Sequence, residues 1–246
     1  MIGLMFSSFR GSQNETVHVF MIGDSTMANK SENSFPETGW GMVFHEYFND
    51  QVEVENFALN GRSTKSFIDE GHWQKVYDKL KLNDYVFIEF GHNDEKENQP
   101  DLYTTPFTTF RANLERYVRE TREKGAIPIL LSPVVRRNFN KEGTLIDTHG
   151  MYPLVTRMVA EAMDVPFIDL QLLTELKLKE LGIEGSKKLY MCLDPGQYKN
   201  WPDGHIDNTH FTNYGAHVVA ELVVGDLKKK HLMNDYLVNQ KVSPTN

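Results

Sequence analysis

Four short apolar runs, and one segment that alternates before it turns apolar, recur along the chain, and longer stretches in which apolar residues return every three or four positions lie between and after them. Such runs are typical of strands buried on both faces, and the longer stretches are typical of amphipathic helices. Strand followed by helix, repeated five times, predicts a parallel sheet with helices on both faces. The predicted strands are residues 17–22, 52–59, 85–90, 127–131 and 166–170.

Helical periodicity accounts for most of the remaining chain. A last helix is predicted to begin near Thr212, and residues 185–208 are predicted to be mostly loop because they are rich in glycine and proline. A loop of that length inside a compact domain is usually functional. The other predicted helices cover residues 40–47, 73–80, 110–118, 155–162 and 172–181.

Composition limits the class of protein. A chain of 246 residues with 40% hydrophobic and 24% charged residues predicts one globular α/β domain over residues 1–246. We expect residues 1–14 to be poorly ordered or to form an N-terminal extension. The net charge of -8 argues against nucleic-acid and anionic-membrane partners, since no cationic excess is present to meet phosphates. We expect a monomer or a homodimer.

The lone cysteine, Cys192, cannot form an internal disulfide, so nothing requires an oxidising compartment. The first ten residues lack a basic region and have too short an apolar stretch for secretion or membrane insertion. We therefore expect a cytoplasmic protein, with a secreted protein whose signal has been removed as the alternative.

Polar clusters follow the first three predicted strands. GDST begins at Gly23, Asn60 and Gly61 follow the second strand, and GHND begins at Gly91. Because the carboxyl ends of parallel strands share one edge of a sheet, where ligands collect, we expect these clusters to lie close together.

Ser25, in the first of these clusters, is a candidate nucleophile. A serine hydroxyl needs a neighbouring base, and the base needs an orienting partner. Asp207 and His210 lie three residues apart just before the last helix, so both can project from one turn. In the alternative interpretation, Asp207 or Thr209 simply caps that helix and His210 is exposed.

Two further residues are candidate donors to an oxyanion. Asn93 has a side-chain amide at the end of the third strand, although an Asx turn would use it equally well. Gly61 has a backbone N–H that a ligand could approach closely, although a simple turn also favours glycine. We expect neither a metal nor another cofactor, because five histidines outside these blocks lack carboxylate or cysteine companions at a spacing typical of metal ligands: His45, His72, His149, His217 and His231.

In this order, the four sequence blocks resemble those of the SGNH hydrolases, also called the GDSL esterase and lipase superfamily. The matching blocks are GDS at 23–25, the glycine at 61, G-x-N-D at 91–94 and D-x-x-H at 207–210. Within the superfamily, three segments are similar to those of the rhamnogalacturonan acetylesterases, especially their bacterial branch. These segments are NGRSTKSFIDEG after the second strand, SPVVRR after the fourth strand and DGHIDNTHF near the end of the chain.

The resemblance implies a three-layer α/β/α, flavodoxin-like doubly wound domain with a five-stranded parallel sheet. It implies that Ser25 attacks an acetyl ester, that His210 is the general base and that Asp207 orients His210. The oxyanion hole would consist of the N–H groups of Ser25 and Gly61 and the amide of Asn93. The substrate would be an acetylated pectic oligosaccharide or polysaccharide.

Pectic sugars are anionic, so an acidic protein needs local cations to bind them. The candidates are Arg62, Lys65, Arg136 and Arg137, each of which could instead be a solvated loop charge. Asp203 and His205 form a competing pair whose spacing of two suits a triad less well. We interpret Trp201 and His205 as a lining of the sugar site, or alternatively as loop packing.

Other functions remain open. The chain could be another small-acyl esterase of the superfamily, such as an acetylxylan esterase, a lipase or a thioesterase. It could also be a non-catalytic carbohydrate-binding module on this fold. A phosphate-binding turn of a nucleotide or flavin protein is disfavoured because the glycine-rich fingerprint and a Walker lysine are missing.

Overall fold

A parallel sheet lies at the centre of the computed structural model, which describes residues 16–238. Its strands are β1 (Val17–Gly23), β2 (Val52–Asn56), β3 (Tyr85–Glu89), β4 (Ile127–Leu131) and β5 (Phe167–Ile168). Their spatial order is β2-β1-β3-β4-β5, and every neighbouring pair is parallel. This order is that of the flavodoxin-like doubly wound fold, so the predicted fold class is confirmed. The prediction about residues 1–14 lies outside the described residues.

Helices cover both faces of this sheet, because alternate residues of each strand point to opposite sides. In β1, Val19 and Met21 pack into one buried cluster with residues of α1, α6 and α7, whereas Phe20 and Ile22 pack into a second cluster with residues of α2 to α5. The helices are α1 (Trp40–Val43), α2 (Thr64–Asp69), α3 (His72–Tyr77), α4 (Arg111–Glu123), α5 (Tyr152–Met163), α6 (Leu170–Ser186) and α7 (Asn213–Lys229).

The segment between α6 and α7 differs from the prediction. Instead of a long loop, it contains an antiparallel pair of strands, β6 (Tyr190–Leu193) and β7 (His205–Phe211). Asp207 and His210 therefore lie on β7 rather than on a turn before the last helix. The predicted start of that helix is confirmed, since Thr212 is its N-cap and accepts a hydrogen bond from the backbone N–H of Gly215.

The order of the strands determines where a site can form. Because β1 lies between β2 and β3, the chain leaves β1 toward one side of the sheet and leaves β3 toward the other, which opens a crevice at their carboxyl ends. Gly23 and Glu89 are paired at that edge. Within residues 16–238, no helix combines the length and the apolar character needed to cross a bilayer.

Candidate active site

Three side chains from opposite ends of the chain form a continuous hydrogen-bonded series. Nδ1 of His210 lies 2.7 Å from Oδ2 of Asp207, and Nε2 of His210 lies 2.8 Å from Oγ of Ser25. An ionised carboxylate only accepts hydrogen bonds, so Nδ1 carries the proton and Nε2 faces the serine hydroxyl as an acceptor. The structure thus brings together the three residues predicted as a triad, in a geometry that can activate the serine oxygen.

The carboxylate of Asp207 is held as an anion. Its Oδ1 accepts hydrogen bonds from the backbone N–H groups of Thr209, at 2.7 Å, and of His210, at 3.1 Å. Partial burial alone would raise the pKa of Asp207, but the hydrogen bonds from His210 and Thr209 outweigh that effect and hold the pKa well below its usual range. Asp207 is therefore ionised wherever His210 acts as a base.

The strand that carries His210 is anchored at its end. The backbone carbonyl of Phe211 accepts a hydrogen bond from the N–H of Thr38, and the N–H of Thr212 donates to the carbonyl of Leu189. These contacts connect the end of β7 to the loop that follows the serine turn and to the residue before β6. The imidazole consequently has a defined position relative to Ser25.

A buried aspartate organises the turn that contains Ser25. The Oδ1 of Asp24 accepts hydrogen bonds from the N–H and the hydroxyl of Thr26, and the carbonyl of Asp24 accepts from the N–H of Ala28. Burial alone would raise the pKa of Asp24, but the neighbouring His92 and the hydrogen bonds from Thr26 hold it below its usual range. Asp24 does not contact His210, in agreement with a role in shaping the turn.

Two more titratable side chains lie beneath the turn. Nδ1 of His92 is 3.3 Å from Oδ2 of Asp24, and burial lowers the pKa of His92 to about 4, so the ring is neutral at neutral pH. Glu89 is fully buried, and its carboxyl group accepts hydrogen bonds from Nε1 of Trp40 at 2.8 Å and from the N–H of Val134 at 3.1 Å. Burial and then the negative charge of Asp24 raise the pKa of Glu89.

The predicted oxyanion donors meet at the same edge of the sheet. Asn93 is connected to the Gly61 turn, because its Nδ2 donates to the carbonyl of Arg62 at 3.0 Å. Within residues 16–238, no protein group accepts a hydrogen bond from the backbone N–H of Ser25 or of Gly61. Gly61 has a φ of +73°, which favours glycine, and a Cβ there would meet no atom within 4 Å.

Two lysines near these donors were not predicted from the sequence. Nζ of Lys96 donates to Oδ1 of Asn93 at 2.7 Å. The side chain of Lys30 is 3% exposed, and its Nζ lies 2.8 Å from Oε1 of Glu37 and 2.7 Å from Oδ1 of Asn60. Lys30 is 30 residues from Asn60, so only the fold brings these two together, whereas Lys96 is three residues from Asn93 but carries no motif that marks the contact.

Two of the four cations predicted to bind substrate, Arg136 and Arg137, have their guanidinium groups bonded to several protein acceptors. Arg136 pairs with Glu95 at 2.5 Å and donates to Oγ1 of Thr148. Arg137 donates to Oγ of Ser186, to Oδ1 of Asn208 at 2.9 Å and to the carbonyl of Ile183. These contacts favour a structural role: the two arginines stabilise loops around the site, and Arg137 holds the residue next to Asp207.

The other predicted binding residues also contact the protein. The side chain of Arg62 is 36% exposed and pairs with Glu70, and Lys65 donates to the carbonyl of Pro100. The ring of Trp201 lies 4.4 Å from that of His205, and its Nε1 donates to the carbonyl of Ser34. His210 uses Asp207 as its partner, so Asp203 and His205 do not form the triad pair.

One group of possible metal ligands lies away from this site. His18 of β1 and Glu53 and Glu55 of β2 offer ligand atoms within 4.8 Å of one another. Glu55 also pairs with Lys79, which competes with a cation for that carboxylate. The absence of a metal stays a prediction.

Comparison with known proteins defines the class. The chain belongs to the GDSL-like lipase/acylhydrolase family, because the model of that family matches residues 19–223. Among curated relatives, the chain is 38% identical to the Bacillus subtilis rhamnogalacturonan acetylesterase RhgT over 92% of this chain and 96% of that protein. It is 33% identical to the probable rhamnogalacturonan acetylesterase YesY of the same organism, over 86% and 93% of the two chains.

A solved structure supports the same fold. The crystal structure of Bacillus subtilis YxiM superposes with a TM-score of 0.75 at 26% identity, covering 88% of this chain and 57% of that chain. This similarity agrees with the strand order and with the predicted family.

Proposed function

We propose that the protein is a serine esterase that removes acetyl groups from pectic sugars. The observation that carries the proposal is the hydrogen-bonded series from Ser25 through His210 to Asp207, at the crevice where the order of the strands reverses. Membership in an acylhydrolase family supports ester cleavage. The names of the two relatives support an acetylated rhamnogalacturonan as the substrate.

In the proposed reaction, Oγ of Ser25 attacks the acetyl carbonyl carbon while Nε2 of His210 takes the hydroxyl proton. The N–H groups of Ser25 and Gly61 and the amide of Asn93 stabilise the negative oxygen of the tetrahedral intermediate. The protonated His210 then gives its proton to the departing sugar hydroxyl, which leaves acetyl-Ser25. Water, activated by His210, hydrolyses this ester and releases acetate.

The substrate is expected to reach Ser25 along the surface that carries Arg62 and Lys65. Arg62 directly follows the proposed oxyanion donor Gly61, and its guanidinium is accessible to a uronate carboxylate. Trp201 and His205 stay proposed sugar contacts, because a pyranose ring packs well on an aromatic face.

The test is acetate release from acetylated rhamnogalacturonan oligosaccharides and from acetylated xylan. The Ser25→Ala variant should lose roughly 10⁴-fold or more of kcat, because the nucleophile is removed. The control is Ser31→Ala, which removes an exposed hydroxyl from the following loop and should retain activity. A fluorophosphonate probe should label the wild type and the control but not Ser25→Ala.

Each outcome assigns a function. Release from the pectic substrate alone supports the proposal, and equal release from both substrates indicates a general acetylesterase. Labelling without acetate release would point to another acyl ester. If the wild type neither releases acetate nor reacts with the probe, the proposal is wrong and the binding-module interpretation replaces it.

A further inference from the structure

The side-chain amide of Asn93 is held at both ends. Its Nδ2 donates to the carbonyl of Arg62 at 3.0 Å, and its Oδ1 accepts from Nζ of Lys96 at 2.7 Å. Asn93 itself is only 3% exposed, so water does not readily replace these partners. An ammonium group can only donate, and a carbonyl oxygen can only accept. The orientation of the amide therefore follows from its neighbours.

The flipped amide would lose both contacts. It would direct Oδ1 toward the carbonyl oxygen of Arg62 and its NH₂ group toward the ammonium of Lys96. An acceptor would then face an acceptor at one end, and a donor would face a donor at the other. In the observed orientation, one of the two N–H bonds of Nδ2 is used by Arg62. The second N–H is left for an oxyanion at the Gly61 turn.

Lys96 has no competing ion pair within residues 16–238, although it lies between Glu95 and Glu97 in the sequence. Glu95 is engaged by Arg136 and by His149 instead. The backbone N–H of Lys96 also donates to the carbonyl of Asn93, which closes the turn and brings the ammonium back over the amide. The lysine is thus committed to Asn93 rather than to a carboxylate.

We propose that Lys96 is a positioning residue for acyl transfer, which fixes the Asn93 amide in the orientation that donates to the oxyanion. The inference rests on the proposed function. A hydrogen bond from a charged donor is stronger than one between neutral groups, and it polarises the amide so that its N–H becomes a better donor. The ammonium also places positive charge near the oxygen on which negative charge develops.

The experiment is a double-mutant cycle with 4-nitrophenyl acetate, a neutral ester on which recognition of substrate charge has no effect. The proteins are wild type, Lys96→Met, Asn93→Ala and the double variant, with Lys96→Arg as the conservative change. Lys177→Met is the matched control, because Lys177 pairs with Glu180 on the exposed side of α6. Steady-state kinetics and the unfolding temperature are measured for each protein.

Lys96→Met should lower kcat by about 10-fold or more while KM changes little, since removal of a whole oxyanion donor costs about 10²- to 10³-fold. Lys96→Arg should recover most of the lost kcat, because a guanidinium also donates to Oδ1. In the Asn93→Ala background the same lysine substitution should have little further effect. Lys177→Met should match the wild type.

Other outcomes overturn the inference. If Lys96→Met lowers kcat by the same factor in the wild type and in the Asn93→Ala background, the two residues act independently. If Lys96→Met leaves kcat and KM for 4-nitrophenyl acetate unchanged but raises KM for acetylated uronic oligosaccharides, Lys96 is assigned to substrate binding. If the wild type hydrolyses no ester, the proposed function fails and the inference fails with it, whereas an active wild type without coupling overturns the inference alone.

Discussion

At the scale of single residues, the arginines near the site divide by what their guanidinium groups contact. Arg136 and Arg137 bond to several acceptors that hold loops in place, whereas Arg62, beside the proposed oxyanion hole, donates to the carbonyl of Asn60 and forms an exposed ion pair with Glu70. An exposed pair of this kind contributes little to stability, so the cost of exchanging Glu70 for a substrate carboxylate is small.

We therefore expect Arg62→Ala to raise KM for acetylated uronic oligosaccharides by about 10-fold, the value of one charge-assisted hydrogen bond. KM for a neutral acetyl ester should stay within about twofold of the wild type. Arg116→Ala is the control, because Arg116 forms a similarly exposed pair with Glu120 on α4. Equal effects of Arg62→Ala on both substrates would contradict this role.

The residues of the candidate site were predictable to different degrees. Ser25, Asn93 and His210 occur in short motifs that follow strands or precede a helix, so their local sequence carries the signal. Lys30 and Lys96 carry none, because each acts through a contact that exists only after folding. Charge alone also could not separate Arg62 from Arg137, since the difference between them is the set of acceptors that the fold supplies.

At the scale of the elements, the β6–β7 pair is what the sequence did not predict. Four apolar residues form β6, but β7 reads HIDNTHF and lacks the alternation that marks a strand. Its side chains are held by polar contacts instead: Asn208 accepts from Arg137, and Asp207 binds His210. Hydrogen bonds of this kind leave no periodic pattern in the sequence.

Close packing of α7 against the residue before β6 positions this pair of strands. A Cβ on Gly215 would overlap the carbonyl oxygen of Leu189, the same oxygen that accepts from the N–H of Thr212. Gly215→Ala should therefore lower the free energy of unfolding by about 1–3 kcal/mol, because the helix or the strand must move. Gly225→Ala is the control on the same helix, where a Cβ meets nothing within 4 Å.

Urea unfolding of the two variants tests this packing. Alanine at position 225 should raise the free energy of unfolding by roughly 0.5–1 kcal/mol, because alanine is the better helix former. If both substitutions stabilise the protein, α7 does not restrain β6 as the structure indicates.

At the scale of the whole molecule, the central sheet was the most predictable feature. Its inner strands are mostly apolar runs because both faces are buried, and β1 supplies Val19 and Met21 to one cluster and Phe20 and Ile22 to the other. The edge strand β2, which reads VEVEN, alternates instead. The ends of the strands were less predictable: β2 ends at Asn56 and β5 contains only Phe167 and Ile168. Beyond the end of β2, Phe57 and Leu59 still donate backbone hydrogen bonds to β1, and their side chains pack against the second buried cluster.

Stability of the whole domain should depend on pH through Glu89. Burial and the nearby charge of Asp24 raise the pKa of Glu89 from its ordinary value of 4.5 to about 8, so between these pH values the folded protein keeps a proton that the unfolded chain releases. Folding therefore takes up a proton between about pH 4.5 and pH 8. The free energy of unfolding contributed by Glu89 falls as the pH rises through this range.

Glu89→Gln removes this titration. Below about pH 4.5 the variant should be less stable than the wild type. Trp40 and Val134 each donate a hydrogen bond to one carboxyl oxygen of Glu89, and the NH₂ group of glutamine cannot accept either bond. As the pH rises from 5 to 9 the wild type should lose stability faster, so the difference in urea-derived unfolding free energy should narrow. Glu53→Gln, an exposed change on β2, should instead give a curve parallel to that of the wild type. Parallel curves of unfolding free energy against pH for Glu89→Gln and the wild type would mean that Glu89 is already ionised in the folded protein. Asp24 and Glu89 would then both be buried as anions.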